Sequence, residues 1–275
     1  MTDPVLYIGN KNYSSWSFRP WIGMRTAGIA FEEKLVPFDM AAGNPAFKAF
    51  SPTGKVPVLV DGDVTVWESL AILDHVARKH PASGLWPENA TDRTMAMAMS
   101  SEMVSSFPAL RSACPMNMRR ERKPIETTPA ILADVDRIQA LWSDCLETSG
   151  GPFLFGAFSI ADAMYAPVVN RLDVYAFETT PIVAGYMARM KDLPAWREWE
   201  TAGRAEPWIV EEDEACLFPL GLKQRQDDQE SKKRGNRWSN LQMPCISPAN
   251  FRNRHVSVSA LGSTVGHACT LNRSL

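Results

Sequence analysis

The chain has 275 residues, 29 Lys or Arg against 31 Asp or Glu, a net charge of -2, and 45% hydrophobic side chains. That composition is ordinary for a globular protein long enough for two domains, and no apolar run approaches the ~20 residues a membrane span needs. The five cysteines (Cys114, Cys145, Cys216, Cys245 and Cys269) are odd in number, scattered and without a CxxC pair. They argue against a disulfide framework or a zinc site, and the expected compartment is a reducing cytoplasm.

Met1-Thr2-Asp3-Pro4 lacks the basic and apolar stretches of a secretory leader. From Leu217 onward there are nine Lys or Arg against three Asp or Glu, which leaves 20 against 28 in the main body. An acidic body argues against nucleic acid as the principal partner.

Residues 4–9 predict a strand, 17–28 a helix and 31–37 a second strand. A short helical segment over 45–50 leads to a hairpin. Its arms, Lys55-Val56-Pro57-Val58-Leu59-Val60 and Val64-Thr65-Val66-Trp67-Glu68-Ser69-Leu70, meet through Asp61-Gly62, a turn pair that tolerates positive φ. A helix over 69–79 follows, with Leu70, Leu73, Val76 and Ala77 on one face. The β-α-β, β-β-α order implies a mixed sheet with helices on it, an α/β thioredoxin-like domain over 1–82.

Residues 83–90 read as a linker. Beyond it only helical patterns occur, over 91–113, 129–148, 159–172, 181–191 and 195–202, so an all-α helical C-terminal domain is expected over 91–214. Ser159 precedes Asp162 by three positions, a capping box whose role is structural. Periodicity then fades, and 224–237 carries no large apolar side chain. The readings open for 215–275 are a disordered appendage, a frameshifted gene end and a basic arm. The first fits best, because so little apolar surface cannot offset chain entropy.

Pro57 cannot donate a ladder hydrogen bond, so it belongs at an edge or turn. A cis bond before it turns the Val56 N–H and C=O outward. Glu68-Ser69 opens the next helix, whose unpaired N–H groups attract a carboxylate. Together they make a site for a small acidic peptide. Ser14, Ser15 and Ser17 lie where the first helix begins, and a hydroxyl there, helped by the helix N-terminus, favours a thiolate. Simple helix capping is the alternative. Tyr13 offers a phenol for the same task, and Arg19 is open to a structural ion pair or to ligand contact.

Val56-Pro57 and Glu68-Ser69 at hairpin spacing resemble the glutathione-binding half of the cytosolic glutathione transferases. Asn12-Tyr13-Ser14-Ser15-Trp16-Ser17-Phe18-Arg19 is similar to the Ser-Ser-x-x-x-Arg pattern of the zeta class, which includes maleylacetoacetate isomerase; Trp16 stands where that pattern has Cys. Gly156-Ala157-Phe158-Ser159-Ile160-Ala161-Asp162 resembles the capping motif of the family's helical domain. The resemblance covers about residues 4–214, and in the family the chain ordinarily ends near Glu206-Pro207-Trp208.

The resemblance implies glutathione transferase architecture, a homodimer, and glutathione as co-substrate with no metal. It implies Ser14, with Ser15 next, as the thiol's partner, and Val56 and Pro57 as the peptide's edge. Lys55 would face the glycine-end carboxylate, Glu68 the amino group and Ser69 the γ-glutamyl carboxylate. The expected activity is addition of the thiol to a mainly apolar, small-molecule electrophile held between the domains. A glutathione-dependent cis-trans isomerase is the alternative, and a non-catalytic ligand-binding or assembly module the rival of another class.

Met95, Met97, Met99, Met103 and Phe107 mark the helix expected to line the inter-domain pocket, or plain core. An acidic co-substrate would draw on Arg111, Arg119 or Arg120, whose other reading is a solvated basic face.

Overall fold

The computed structural model describes residues 3–214. The appendage expected over 215–275 lies outside the described residues.

Strand β1 (Val5–Ile8) alternates as a half-covered strand must, with Leu6 and Ile8 fully buried. Helix α1 (Ser15–Thr26) crosses over to β2 (Glu32–Leu35), which pairs parallel to β1; a parallel return requires such a crossover. A short 3₁₀ turn, Pro45–Ala49, precedes β3 (Val58–Asp61), antiparallel to β1, and β4 (Val64–Trp67) closes the hairpin. The sheet order is β2-β1-β3-β4. Helix α2 (Ser69–Lys79) follows, burying Ile72, Leu73, Val76 and Ala77.

The remaining helices are α3 (Ala90–Ser105), α4 (Pro108–Ala113), α5 (Pro129–Ser149), α6 (Ile160–Val174), α7 (Pro181–Asp192) and α8 (Pro194–Ala205). One helix was expected over 91–113, and two are found. A residue before proline is pushed out of the helical region, and proline has no N–H to give beyond the first turn. Accordingly Phe107 takes a φ of 62° and Pro108 starts a new helix.

Helix α6 is the axle of the helical part, with nearly every residue buried. Its start is held by Asp162. The carboxylate accepts from the Leu154 N–H (3.1 Å), the Ser159 N–H (2.8 Å) and the Ser159 hydroxyl (2.9 Å), and burial nevertheless raises its pKa to about 6.

Helix α1 is the shared wall, packing on α2 on one side and on α6 and α8 on the other. A Cβ on Gly23 would come 2.4 Å from Leu73, so α1 and α2 approach as closely as they do because that position is bare. On the α8 side Phe18 and Trp21 pack against Trp199, with centroids 4.9 and 5.0 Å apart. These contacts fix the N-terminal end of α1, where the serines lie.

Candidate active site

The loop from β1 into α1 is stapled from far away in the sequence. The Glu206 carboxylate accepts the N–H groups of Lys11 (2.6 Å) and Asn12 (3.0 Å). Asn12 in turn accepts the Arg119 N–H at its side-chain oxygen (2.8 Å) and donates to Asn117 (3.1 Å). Gly203 of α8 lets the loop come in: a Cβ there would stand 3.1 Å from the Asn12 nitrogen. Burial raises the Glu206 pKa, against the pull of the two N–H donors and of Lys11.

Ser14 caps α1. Its hydroxyl accepts the Ser17 N–H (3.4 Å) and donates to the Ser17 hydroxyl (2.7 Å), which also accepts the Gly9 N–H (3.1 Å). The proton of Ser14 is thus committed inside the loop. Ser15, the first residue of α1, is half-buried, and its hydroxyl meets no partner among the described residues. Both serines line a cavity of about 330 Å³ with Trp16, Lys55 and Val56. Tyr13 lines it too, but its hydroxyl donates to Glu214 (2.7 Å) and accepts from Arg119 (2.7 Å).

The Val56–Pro57 bond is cis. Among the described residues neither the N–H nor the C=O of Val56 is hydrogen-bonded, because the ladder with β1 begins only at Val58. The bend before it is tied by Ser51, whose hydroxyl donates to the Lys55 C=O (2.6 Å) and accepts the Lys55 N–H (3.0 Å). This leaves the exposed Lys55 side chain at the rim.

Lys55, Val56, Pro57, Glu68 and Trp16 line a second cavity of about 150 Å³. Glu68, exposed with a φ of 68°, stands immediately before α2. Ser69 lines neither of these. It is buried, and its hydroxyl donates to the Trp16 C=O (2.7 Å); the side chain expected to meet a carboxylate instead ties α2 to α1. What Ser69 keeps is its place at the first position of α2, where helix N–H groups lack intrahelical partners. With Glu68 and Trp16 it borders a third cavity, about 440 Å³, between α2 and the Met97 and Val104 side chains of α3. Trp16 alone belongs to all three. The position that departs from the zeta pattern is therefore the partition of the site.

Among the described residues Arg19 pairs with no acid, and it lines none of these three cavities. It is fully buried, its Nε donates to the Met164 C=O (2.8 Å) and its Nη1 to the Ser15 C=O (3.1 Å), and burial drives its pKa well down. Its guanidinium also lies 4.3 Å from the Trp16 ring centroid, so it ties α1 to α6 and backs the partition.

The methionine stripe divides. Met99, Met103 and Phe107 are core, while Met95 and Met97 are exposed. Arg119 is no solvated cation either, since its guanidinium donates to Tyr13, to the Glu206 C=O and to the Trp208 C=O. Arg120 lies over the Tyr175 ring at 4.5 Å. Arg111 faces the cavity lined by Ser14 and Ser15, and with it Arg171, which sequence reasoning missed. A cation inside a mostly apolar helix was the signal available. Among the described residues no group of His, Cys, Asp and Glu is placed to hold a metal ion, and no helix is long and apolar enough to cross a membrane.

A thioredoxin-like mixed sheet whose cis-proline edge faces the serine loop, carried on an all-helical domain, is the glutathione transferase architecture. Two family models match the chain: "Glutathione S-transferase, N-terminal domain" over residues 13–79 and "Glutathione S-transferase, C-terminal domain" over 120–202. Together they span more than half of the 275 residues, and the chain belongs to the glutathione S-transferase family.

It is 27% identical to a zeta-class glutathione S-transferase of Euphorbia esula over 172 residues, 61% of this chain and 76% of that one. It is 29% identical to glutathione S-transferase F9 of Arabidopsis thaliana over 214 residues, 70% of this chain and 95% of that one. Among solved structures, a glutathione transferase homolog from Burkholderia with bound glutathione superposes with a TM-score of 0.59 at 20% identity. That match covers 74% of this chain and all of the other, and shows the shared fold.

Proposed function

We propose that this protein is a glutathione transferase that adds the thiol of glutathione to a small electrophile, and that the hydroxyl of Ser15 activates that thiol. The observation that carries the reading is the Val56 backbone. Its N–H and C=O are unclaimed, and they share cavities with the mouth of α2 at Glu68 on one side and with Ser14 and Ser15 on the other.

An extended tripeptide pairs its middle residue with Val56 as an added strand does. Its glycine carboxylate meets Lys55, its amino group Glu68, and its γ-glutamyl carboxylate the N–H groups at the start of α2 beside Ser69. The thiol then lies at the N-terminus of α1. Ser15 donates to the sulfur, the helix terminus favours the anion, and the proton passes to solvent. Ser14 holds the loop in shape as its cap.

In this reading a glutathione-binding domain (1–82) and a helical domain (91–214) are joined by the linker 83–90, and the protein works as a cytoplasmic homodimer. A zeta-class assignment draws on the serine pattern and the Euphorbia relative, and places maleylacetone beside aryl chlorides among the substrates to assay. Isothermal titration with glutathione tests the reading. Binding at submillimolar to millimolar concentration that Ser15→Ala preserves, with loss of the bound thiolate's ultraviolet absorbance, supports it. An intact protein that releases no heat at millimolar glutathione overturns it in favour of a non-catalytic module.

A further inference from the structure

The cavity lined by Ser14 and Ser15 carries a charge pattern that an apolar co-substrate does not explain. Its wall holds Lys55, Arg111 and Arg171 against a single acid, Asp213. Arg171 stands in α6 with 5% of its surface exposed. Its Nε donates to the Cys114 C=O (2.8 Å), and its Nη1 is buried with no hydrogen-bond partner.

Arg111, on α4, uses Nη1 for the Val104 and Ser106 carbonyls, each at 3.1 Å, and its guanidinium sits 5.1 Å from the Trp16 ring centroid. No carboxylate lies within ion-pair distance of either guanidinium among the described residues. Burial and then the neighbouring Arg111 charge push the Arg171 pKa down to about 10.

Leaving a buried charge unpaired is strongly unfavourable. Two guanidiniums at one wall add mutual repulsion, and an anion relieves both costs. A guanidinium is suited to a carboxylate, because its planar fork offers two parallel N–H donors. Beside the serines and Asn44 the wall has an apolar part, where Trp16, Phe38 and Met116 face the same space.

We propose that the co-substrate is an electrophile bearing a carboxylate, held by Arg111 and Arg171 in the cavity that Lys55 and Val56 also line. Its apolar body lies against Trp16, Phe38 and Met116, and its electrophilic carbon points toward Ser15. This rests on the transferase reading above and replaces the mainly apolar co-substrate with an acidic one. With an aryl chloride the thiolate sulfur forms the new bond to ring carbon, chloride leaves with the bonding pair, and the carboxylate is unchanged.

The test compares a chlorodinitrobenzoate with its methyl ester, each kcat/KM divided by the uncatalysed rate with glutathione. The acid is expected to be favoured by ~10- to 100-fold, the worth of charge-assisted hydrogen bonds. Arg171→Gln and Arg111→Gln should each shrink that ratio toward one, and Arg171→Lys should restore part of it. A ratio near one in the intact protein, or one that neither Gln variant changes, overturns the proposal. If Arg171→Gln does not fold, competition in the intact protein decides: benzoate inhibiting no better than benzamide overturns it, and stronger inhibition by benzoate that Arg111→Gln removes supports it. Glutathione titration on the same preparations keeps the two readings apart. Protein that binds glutathione but ignores the carboxylate sinks this inference alone, whereas protein that binds no glutathione sinks the transferase reading.

Discussion

Ser14 and Ser15 are neighbours in sequence with opposite hydrogen-bond circumstances, and exchanging each for alanine separates capping from catalysis. The Ser14 hydroxyl already donates to Ser17 and accepts the Ser17 N–H, while the Ser15 hydroxyl has no partner among the described residues. A hydroxyl donated to a thiolate is a charge-assisted bond worth ~1.5–3 kcal/mol. At 1.36 kcal/mol per unit, its loss in Ser15→Ala raises the thiol pKa of bound glutathione by ~1–2 units. The ionised fraction near neutral pH then falls by up to ~10- to 100-fold.

Ser14→Ala removes a cap instead, costing ~0.5–2 kcal/mol of stability, and should move the thiol pKa much less. Ultraviolet titration of the bound thiolate against pH reads the first quantity, and urea unfolding reads the second. The reasoning is refuted if the midpoint stays put in Ser15→Ala while Ser14→Ala shifts it by a unit or more with stability intact.

Three further outcomes follow from the frame around the loop. Glu206→Gln keeps one acceptor but sets an amide donor against the Lys11 or Asn12 N–H; we expect ~2–3 kcal/mol less stability by urea unfolding, the cost of an orphaned buried donor, with a raised KM for glutathione. Gly203→Ala places a Cβ 3.1 Å from the Lys11 and Asn12 backbone, so steady-state kinetics should show kcat/KM falling several-fold while stability falls by only ~1 kcal/mol. Asp162 has a folded pKa of about 6 against an ordinary 3.8, raised by burial. The folded state therefore holds this proton more tightly, and its contribution is present below the ordinary value and lost as pH rises through about 6. Relative to Asp162→Asn, the wild type should lose up to ~3 kcal/mol between pH 4 and pH 7; a pH-independent difference in urea unfolding would contradict the assignment.

Local pattern carried much of the architecture. The helix at Ser69–Lys79 was legible to the residue, because its capping position, its apolar face and the hairpin before it lie within a few residues of one another. The Ser159-to-Asp162 box and the helix beginning at Pro129 were legible for the same reason. The break at Phe107 was present in the chain as a residue before proline, and the apolar periodicity running through 91–113 concealed it.

The contents of the site followed another rule. That Val56 and Glu68 would stand at one cavity was visible from spacing along a single hairpin. Which serine has a proton to give was not, since it depends on the Ser17 hydroxyl turning inward to meet the Gly9 N–H. Nor was the anchorage of Lys11 and Asn12 by a carboxylate 195 and 194 positions away. The arginine on α6 is the plainest case. Side chains within one or two helical turns decide whether a helix forms, and the chain states these outright. Whether a charge on that helix finds water, a carboxylate or an empty wall depends on what α1, α4 and the Cys114 carbonyl bring against it, and only the packed molecule settles that.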